Sequence, residues 1–224
     1  MSVSSQPTTP VTLVIGVAGG VASGKSLVTD CFGHFGAAVI DADRAGHEVL
    51  LQAEVQAAIV DRWGAEMLRD GTIDRSRLAK IVFADNPQAA GELEHLEQLT
   101  HPAIGRRLEQ QLADFRQQQR PAVVLDAPVM FKAGWQRLCD QIVFVDAPRT
   151  LRLQRARERG WSADELDRRE ARQAPLELKR AQATAYIDNS QSKAHTYQQA
   201  VQLWIGWGLS LSASRTSPSS LFQD

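Results

Sequence analysis

Gly19-Gly20-Val21-Ala22-Ser23-Gly24-Lys25-Ser26 decides how this chain is read, because it fits the spacing G-x-x-x-x-G-K-[ST]. A loop of this kind turns successive backbone N–H groups inward, and small side chains let the chain wrap phosphate oxygens. In that pattern Lys25 reaches the β- and γ-phosphates, and the Ser26 hydroxyl ligates Mg²⁺. The flanks support more than a glycine-rich turn. Val11 to Val17 is an apolar run suited to a buried strand. Lys25 to Phe35 then sets Val28, Phe32 and Phe35 on one face of a helix, whose positive dipole end faces the loop.

Working outward, Ala38 to Ile40, Ala122 to Leu125 and Ile142 to Val145 are further β-branched runs without polar alternation, as strands buried on both faces require. Tyr186-Ile187 is a candidate short fifth strand. Strand–helix–strand spacing predicts an α/β, doubly wound parallel sheet flanked by helices: a P-loop nucleoside-triphosphate-binding fold. The expected core comprises residues 11–43, 120–148 and 183–208. Arg44 to Gln119 reads as almost entirely helical, interrupted at Asp70-Gly71 and Asn86-Pro87, and makes residues 44–119 a helical insertion. Arg149 to Arg180 holds ten basic and six acidic residues, net +4 against −5 for the remainder, and marks 149–182 as a separate arginine-rich segment. Residues 1–10 and 210–224 are Ser-rich, poor in apolar residues and expected to be disordered.

Composition narrows the classes. At 224 residues the chain can bury a core without staples. Its formal charge of −1, from 25 basic and 26 acidic residues, excludes a generally basic nucleic-acid coat protein. Two cysteines make no disulfide framework or metal spacing. No apolar run approaches the roughly 20 residues that span a bilayer. These features predict a soluble cytoplasmic protein, with neither nucleic acid nor membrane as partner.

Carboxylates at strand ends come next, since ligands of doubly wound sheets gather outside the carboxyl ends of the strands. Val39-Ile40-Asp41-Ala42-Asp43 ends a strand in two of them, which are expected to face the phosphate loop. An acid there accepts a hydroxyl proton during phosphoryl transfer, holds Mg²⁺ through water, or merely caps the following helix. Asp126 and Asp146 also end apolar strands. Pro148 suits a helix start after Asp146, which leaves Asp126 as the metal-side candidate. Arg152, Arg155 and Arg159 recur at helical spacing: either they form a solvated face, or Arg155 and Arg159 neutralise charge on the transferring phosphoryl group.

These residues resemble the dephospho-CoA kinases, the family that completes coenzyme A. Four segments carry the likeness in order from about Leu13 to Asn189: the phosphate loop; Val39 to Asp43 with Ala45 to Val49; Asp70 to Phe83 leading to Leu99-Thr100-His101-Pro102; and Val145-Asp146 through Arg155, Arg159, Gln173 and Lys179 to Ile187-Asp188-Asn189. The resemblance implies a core, a helical acceptor-binding insertion at 44–119 and a mobile lid at 149–182. It implies nucleotide contacts at Gly20, Val21, Ala22, Ser23, Gly24, Lys25, Ser26 and Leu27, and at Asn189. It also implies Asp43 as the base on the ribose 3′-hydroxyl, with Lys25 and Arg155 sharing in catalysis, and Asp41, His101 and Arg159 as acceptor contacts.

The implied reaction moves the ATP γ-phosphate to 3′-dephospho-CoA with Mg²⁺. The competing expectations are a P-loop kinase of another nucleotide or nucleoside, and a nucleotide-binding regulatory protein without transfer. Four positions depart from the family pattern. Lys132 stands for a usual Glu, Ala18 for Thr, Ala22 for Gly and Thr184 for a common Asp. Ala22 is tolerable if its backbone avoids positive φ.

Overall fold

The computed structural model describes residues 12–211. The N-terminal tail at 1–10, Val11 of the expected first strand and all of the C-terminal tail beyond 211 lie outside the described residues.

In chain order the elements are β1 (Leu13–Gly19), α1 (Lys25–Phe35), β2 (Ala38–Asp41), α2 (Ala42–Val49), α3 (Ala53–Trp63), β3 (Leu68–Arg69), β4 (Thr72–Ile73), α4 (Arg75–Val82) and α5 (Ala89–Gln117). They continue with β5 (Ala122–Asp126), β6 (Gln141–Asp146), α6 (Arg149–Glu158), α7 (Ala163–Ala171), α8 (Leu176–Ala181), β7 (Ala185–Asp188) and α9 (Lys193–Gly206). The described residues form two compact units, one of residues 12–40 with 112–211 and one of Asp41–Gln111.

The first unit is built on a five-stranded sheet of order β2-β5-β1-β6-β7. β1 pairs in parallel with β5 and β6, and β6 with β7. Buried Val14, Ile15, Val17, Val123, Val124, Leu125, Val143 and Val145 explain why these strands lack alternation: both faces are covered. β7 extends the expected Tyr186-Ile187 pair by one residue at each end. The chain leaves β1 for one side of the sheet and, after β5, crosses to the other, so the crevice for a ligand opens at the carboxyl end of β1. Behind α1 an aromatic cluster fixes its orientation. Phe32 stacks on Trp204 of α9 at 6.1 Å, and Phe35 meets Tyr197 edge-on at 5.2 Å, contacts worth roughly 0.5–1.5 kcal/mol each beyond their buried area.

The second unit is helical apart from short breaks, and the break expected at Asp70-Gly71 holds two short strands. β3 and β4 form an antiparallel hairpin around Asp70-Gly71, with Leu68 opposite Ile73. Asp70 and Gly71 have φ of 50° and 74°, as the tight two-residue turn requires, and Asp-Gly is a favoured pair for it. Asn86 ends the second interruption by accepting the N–H groups of Gln88 and Ala89 at 3.0 and 2.9 Å, which starts α5. Pro102 lies inside α5; two residues earlier the Thr100 hydroxyl donates to the Leu96 carbonyl at 2.7 Å.

Candidate active site

The phosphate loop joins β1 to α1. Gly24 takes φ 98° as the N-cap of α1, offers no capping side chain, and no acidic residue occupies the first turn. The leading N–H groups of α1 are thus left for an anion, which the helix dipole favours. A Cβ on Gly24 would run into the Asn189 amide, and one on Gly20 would meet the Arg152 guanidinium at 2.8 Å. Ala22 overturns the condition set for it: its φ is 60°, the left-handed region that costs an L side chain about 1–2 kcal/mol. The neighbouring Ser23 hydroxyl is buried without a hydrogen-bond partner.

Side chains brace this loop from behind. Asn189 is buried; its amide donates to the Ser23 carbonyl at 2.7 Å while its Oδ1 accepts from the Thr196 hydroxyl at 2.8 Å. Arg155 donates to the carbonyls of Ser23 at 3.0 Å and Asn189 at 2.9 Å. Val21 packs with Ala156 and Leu166, which ties the loop to α6 and α7. Ser26 and Arg159 are exposed, Leu27 is half-buried, and the Arg159 guanidinium lies 5.6 Å from the Trp161 ring.

At the mouth of the loop the Lys25 ammonium donates to the Gly20 carbonyl at 2.8 Å and lies 3.4 Å from that of Gly19. Burial pushes its pKa down to about 8; Asp126 and Glu170 oppose this, and Arg159 and Arg152 reinforce it. Asp126 sits opposite Val17 at the end of β5, within the electrostatic reach of Lys25. The charge run was expected to be either a solvated face or phosphate ligands, and its members divide. Arg152 is buried, paired with Glu170 and donating to the Ala147 carbonyl at 3.2 Å. Lys179, also buried, reaches the Gly19 carbonyl from α8. Neither residue was singled out for a site role, since nothing local in the sequence distinguishes a buried member of a charge run.

In the second unit Asp41 Oδ1 accepts the N–H groups of Asp43 and Arg44 at 2.9 and 3.1 Å, so Asp41 is the cap of α2. The capping reading considered for Asp43 therefore belongs to Asp41. Loss of water around the Asp43 carboxyl raises its pKa above the usual carboxylate range even though the residue as a whole is exposed; Asp41 adds to the rise and His47 opposes it. His101 is half-buried on α5, directly before Pro102. A cavity of about 640 Å³ is lined by His47, Arg69, Asp70, Asp74, Arg75 and Phe83, among others, and so sets two guanidinium groups and two carboxylates beside an apolar wall. The sequence assigns no site role to His47, Arg69 or Arg75.

Among the described residues no three His, Cys, Asp or Glu side chains cluster as a metal site. A phosphate-bound Mg²⁺ needs fewer, because it keeps waters and phosphate oxygens. The oxygen donors of Ser26 and Asp126 suit such a hard cation, and the uncapped helix end suits the phosphates.

A family model described as dephospho-CoA kinase matches residues 13–195. A dephospho-CoA kinase of Geobacter metallireducens is 42% identical over 195 residues, covering 86% of this chain and 95% of the relative. One from Synechococcus elongatus is 39% identical over 196 residues, covering 84% and 89%. Among solved structures, TT1252 from Thermus thermophilus aligns with a TM-score of 0.71 at 30% identity, covering 88% of this chain and 97% of that one. A dephospho-CoA kinase from Campylobacter jejuni shares the fold, with a TM-score of 0.59 at 23% identity over 87% and 97%.

Proposed function

Since the chain belongs to the dephospho-CoA kinase family, we propose that it transfers the γ-phosphoryl group of ATP to the ribose 3′-hydroxyl of 3′-dephospho-CoA, giving CoA and ADP. The observation that carries this reading is the joint presence of an uncapped phosphate loop, with Lys25 at its mouth, and Asp43 outside the helix cap.

Each residue then has a part. Backbone N–H groups from Gly20 to Leu27 cradle the phosphates, and Lys25 meets the β- and γ-phosphate oxygens. Ser26 and Asp126 would hold Mg²⁺, and that cation would neutralise charge on the phosphates. Asn189 and Arg155 serve the nucleotide by holding the loop carbonyls of Ser23 in place, while Arg159 remains exposed for a substrate anion. Asp43 takes the 3′-hydroxyl proton, and Asp41 orients it through the cap. His101 and the cavity with Arg69 and Arg75 serve the acceptor, whose pyrophosphate suits guanidinium and whose pantetheine arm suits an apolar wall. Residues 149–182 act as the lid and 44–119 as the acceptor-binding part.

No helix among the described residues is long and apolar enough to cross a membrane. We assign the reaction to the cytoplasm, where ATP is available. ADP release in the presence of ATP and Mg²⁺, with and without dephospho-CoA, tests the function. Release that depends on dephospho-CoA supports it; release that depends only on another nucleotide or nucleoside contradicts it.

A further inference from the structure

Lys179 is 3% exposed, yet it carries an ammonium group at the opening of the phosphate loop. It donates to Gln173 Oε1 at 2.6 Å and lies 3.4 Å from the Gly19 carbonyl, the same oxygen that Lys25 approaches at 3.4 Å. Both of its acceptors are neutral. Three cations, Lys25, Arg152 and Lys179, crowd this spot; Glu170 is already paired with Arg152, and Asp126 acts on Lys25. Buried ammonium groups are costly without enough anions, and here three cations share two carboxylates, Glu170, which also attracts Lys179, and Asp126, so the spot is short of negative charge. There is room for one to be met. Lys179 lines a cavity of about 210 Å³ with Gly20, Val21, Glu170 and Gln173, and it borders a smaller one that contains Lys25.

We propose that Lys179 is a second phosphate-binding lysine, whose ammonium leaves Gln173 when nucleotide binds and meets the terminal phosphoryl oxygens beside Lys25. The terminal end is assigned because Lys25, the ligand of the β- and γ-phosphates, converges on the same carbonyl. Charge on that group spreads over its equatorial oxygens during transfer, so a second fixed cation stabilises the transition state. The inference rests on the nucleotide half of the proposed function and needs no acceptor.

The test begins with the unmodified protein and ATP acylated on its terminal phosphate. A lysine amine that touches this phosphate attacks the acyl carbonyl, an amide forms, and ATP leaves. Burial, reinforced by the Lys25 charge, lowers the Lys179 pKa to about 8, so a neutral fraction is available to react. Mass spectrometry should find the acyl group on both Lys25 and Lys179, and excess ATP should suppress both. Labelling of Lys25 alone overturns the proposal. Lys179→Met should weaken ATP binding on the order of 10-fold or more while ADP affinity changes by less than about 3-fold, and Lys179→Arg should recover most of the loss. Equal losses for ATP and ADP, or none, would mean that Lys179 only pins α8 to the loop, and would overturn it. A chain that labels both lysines but does not phosphorylate dephospho-CoA would refute the function and keep this site.

Discussion

Asp41 Oδ1 accepts the backbone N–H of Asp43 at 2.9 Å, so the first aspartate caps α2 and the second keeps its carboxyl outside the cap. The two residues can therefore be separated by experiment. Asp43→Asn should leave the melting temperature unchanged and lower kcat roughly 10²-fold or more, because the amide cannot accept a proton. Asp41→Ala should lower stability by about 1 kcal/mol through the lost cap. As a base Asp43 must be ionised, and its pKa is raised, so kcat/KM should fall with decreasing pH at a point above the ordinary carboxylate range. A folded Asp43→Asn enzyme with full activity would remove the base from the mechanism.

Lys25→Ala tests the loop. Alanine is well tolerated at the start of a helix, so the fold should survive. Loss of the ammonium should reduce kcat on the order of 10²-fold or more, as for removal of other groups that contact transition-state charge. Circular dichroism checks the fold, and steady-state kinetics check the loss.

The pH dependence of ATP binding follows from the same lysine. In the free protein its pKa lies near 8, and phosphate oxygens favour the charged form and raise it. Below pH 8 the ammonium is already present and this lysine adds no pH dependence. Above pH 8 each lysine that meets the phosphates must take up a proton, so affinity should weaken by up to about tenfold per pH unit from Lys25, and more steeply where Lys179 joins it. Calorimetric titration across that range measures the slope, and affinity that strengthens with rising pH would contradict the assignment.

Ala22 holds φ 60° in the loop, where glycine carries no penalty. Ala22→Gly should stabilise the protein by about 0.5–1 kcal/mol, the relieved strain exceeding the added entropy of the unfolded chain. Thermal unfolding reads this directly; a lower melting temperature would show that the strain is not there.

The core was legible because its strands are buried on both faces and so read as continuous apolar runs, and because the loop lies between one such run and an amphipathic helix. The hairpin at Leu68–Ile73 was missed since its strands are two residues each, too short to show alternation, and Asp70-Gly71 was read as a break instead of a turn. Lys179 lies 160 residues from Gly19, and only the fold brings them together. Arg152 and Arg155 have the spacing of a solvated face, yet one is buried against Glu170 and the other grips the loop carbonyls. Ala22 was accepted on a condition about φ that residue identity alone does not reveal.

The central claim is transfer to the 3′-hydroxyl of dephospho-CoA. Mass spectrometry of dephospho-CoA incubated with the enzyme, ATP and Mg²⁺ measures it most directly. The product should be heavier by one phosphoryl group and identical to CoA, with ADP formed in equal amount. Unchanged dephospho-CoA alongside bound ATP, or phosphate transferred only to another nucleotide, would contradict it.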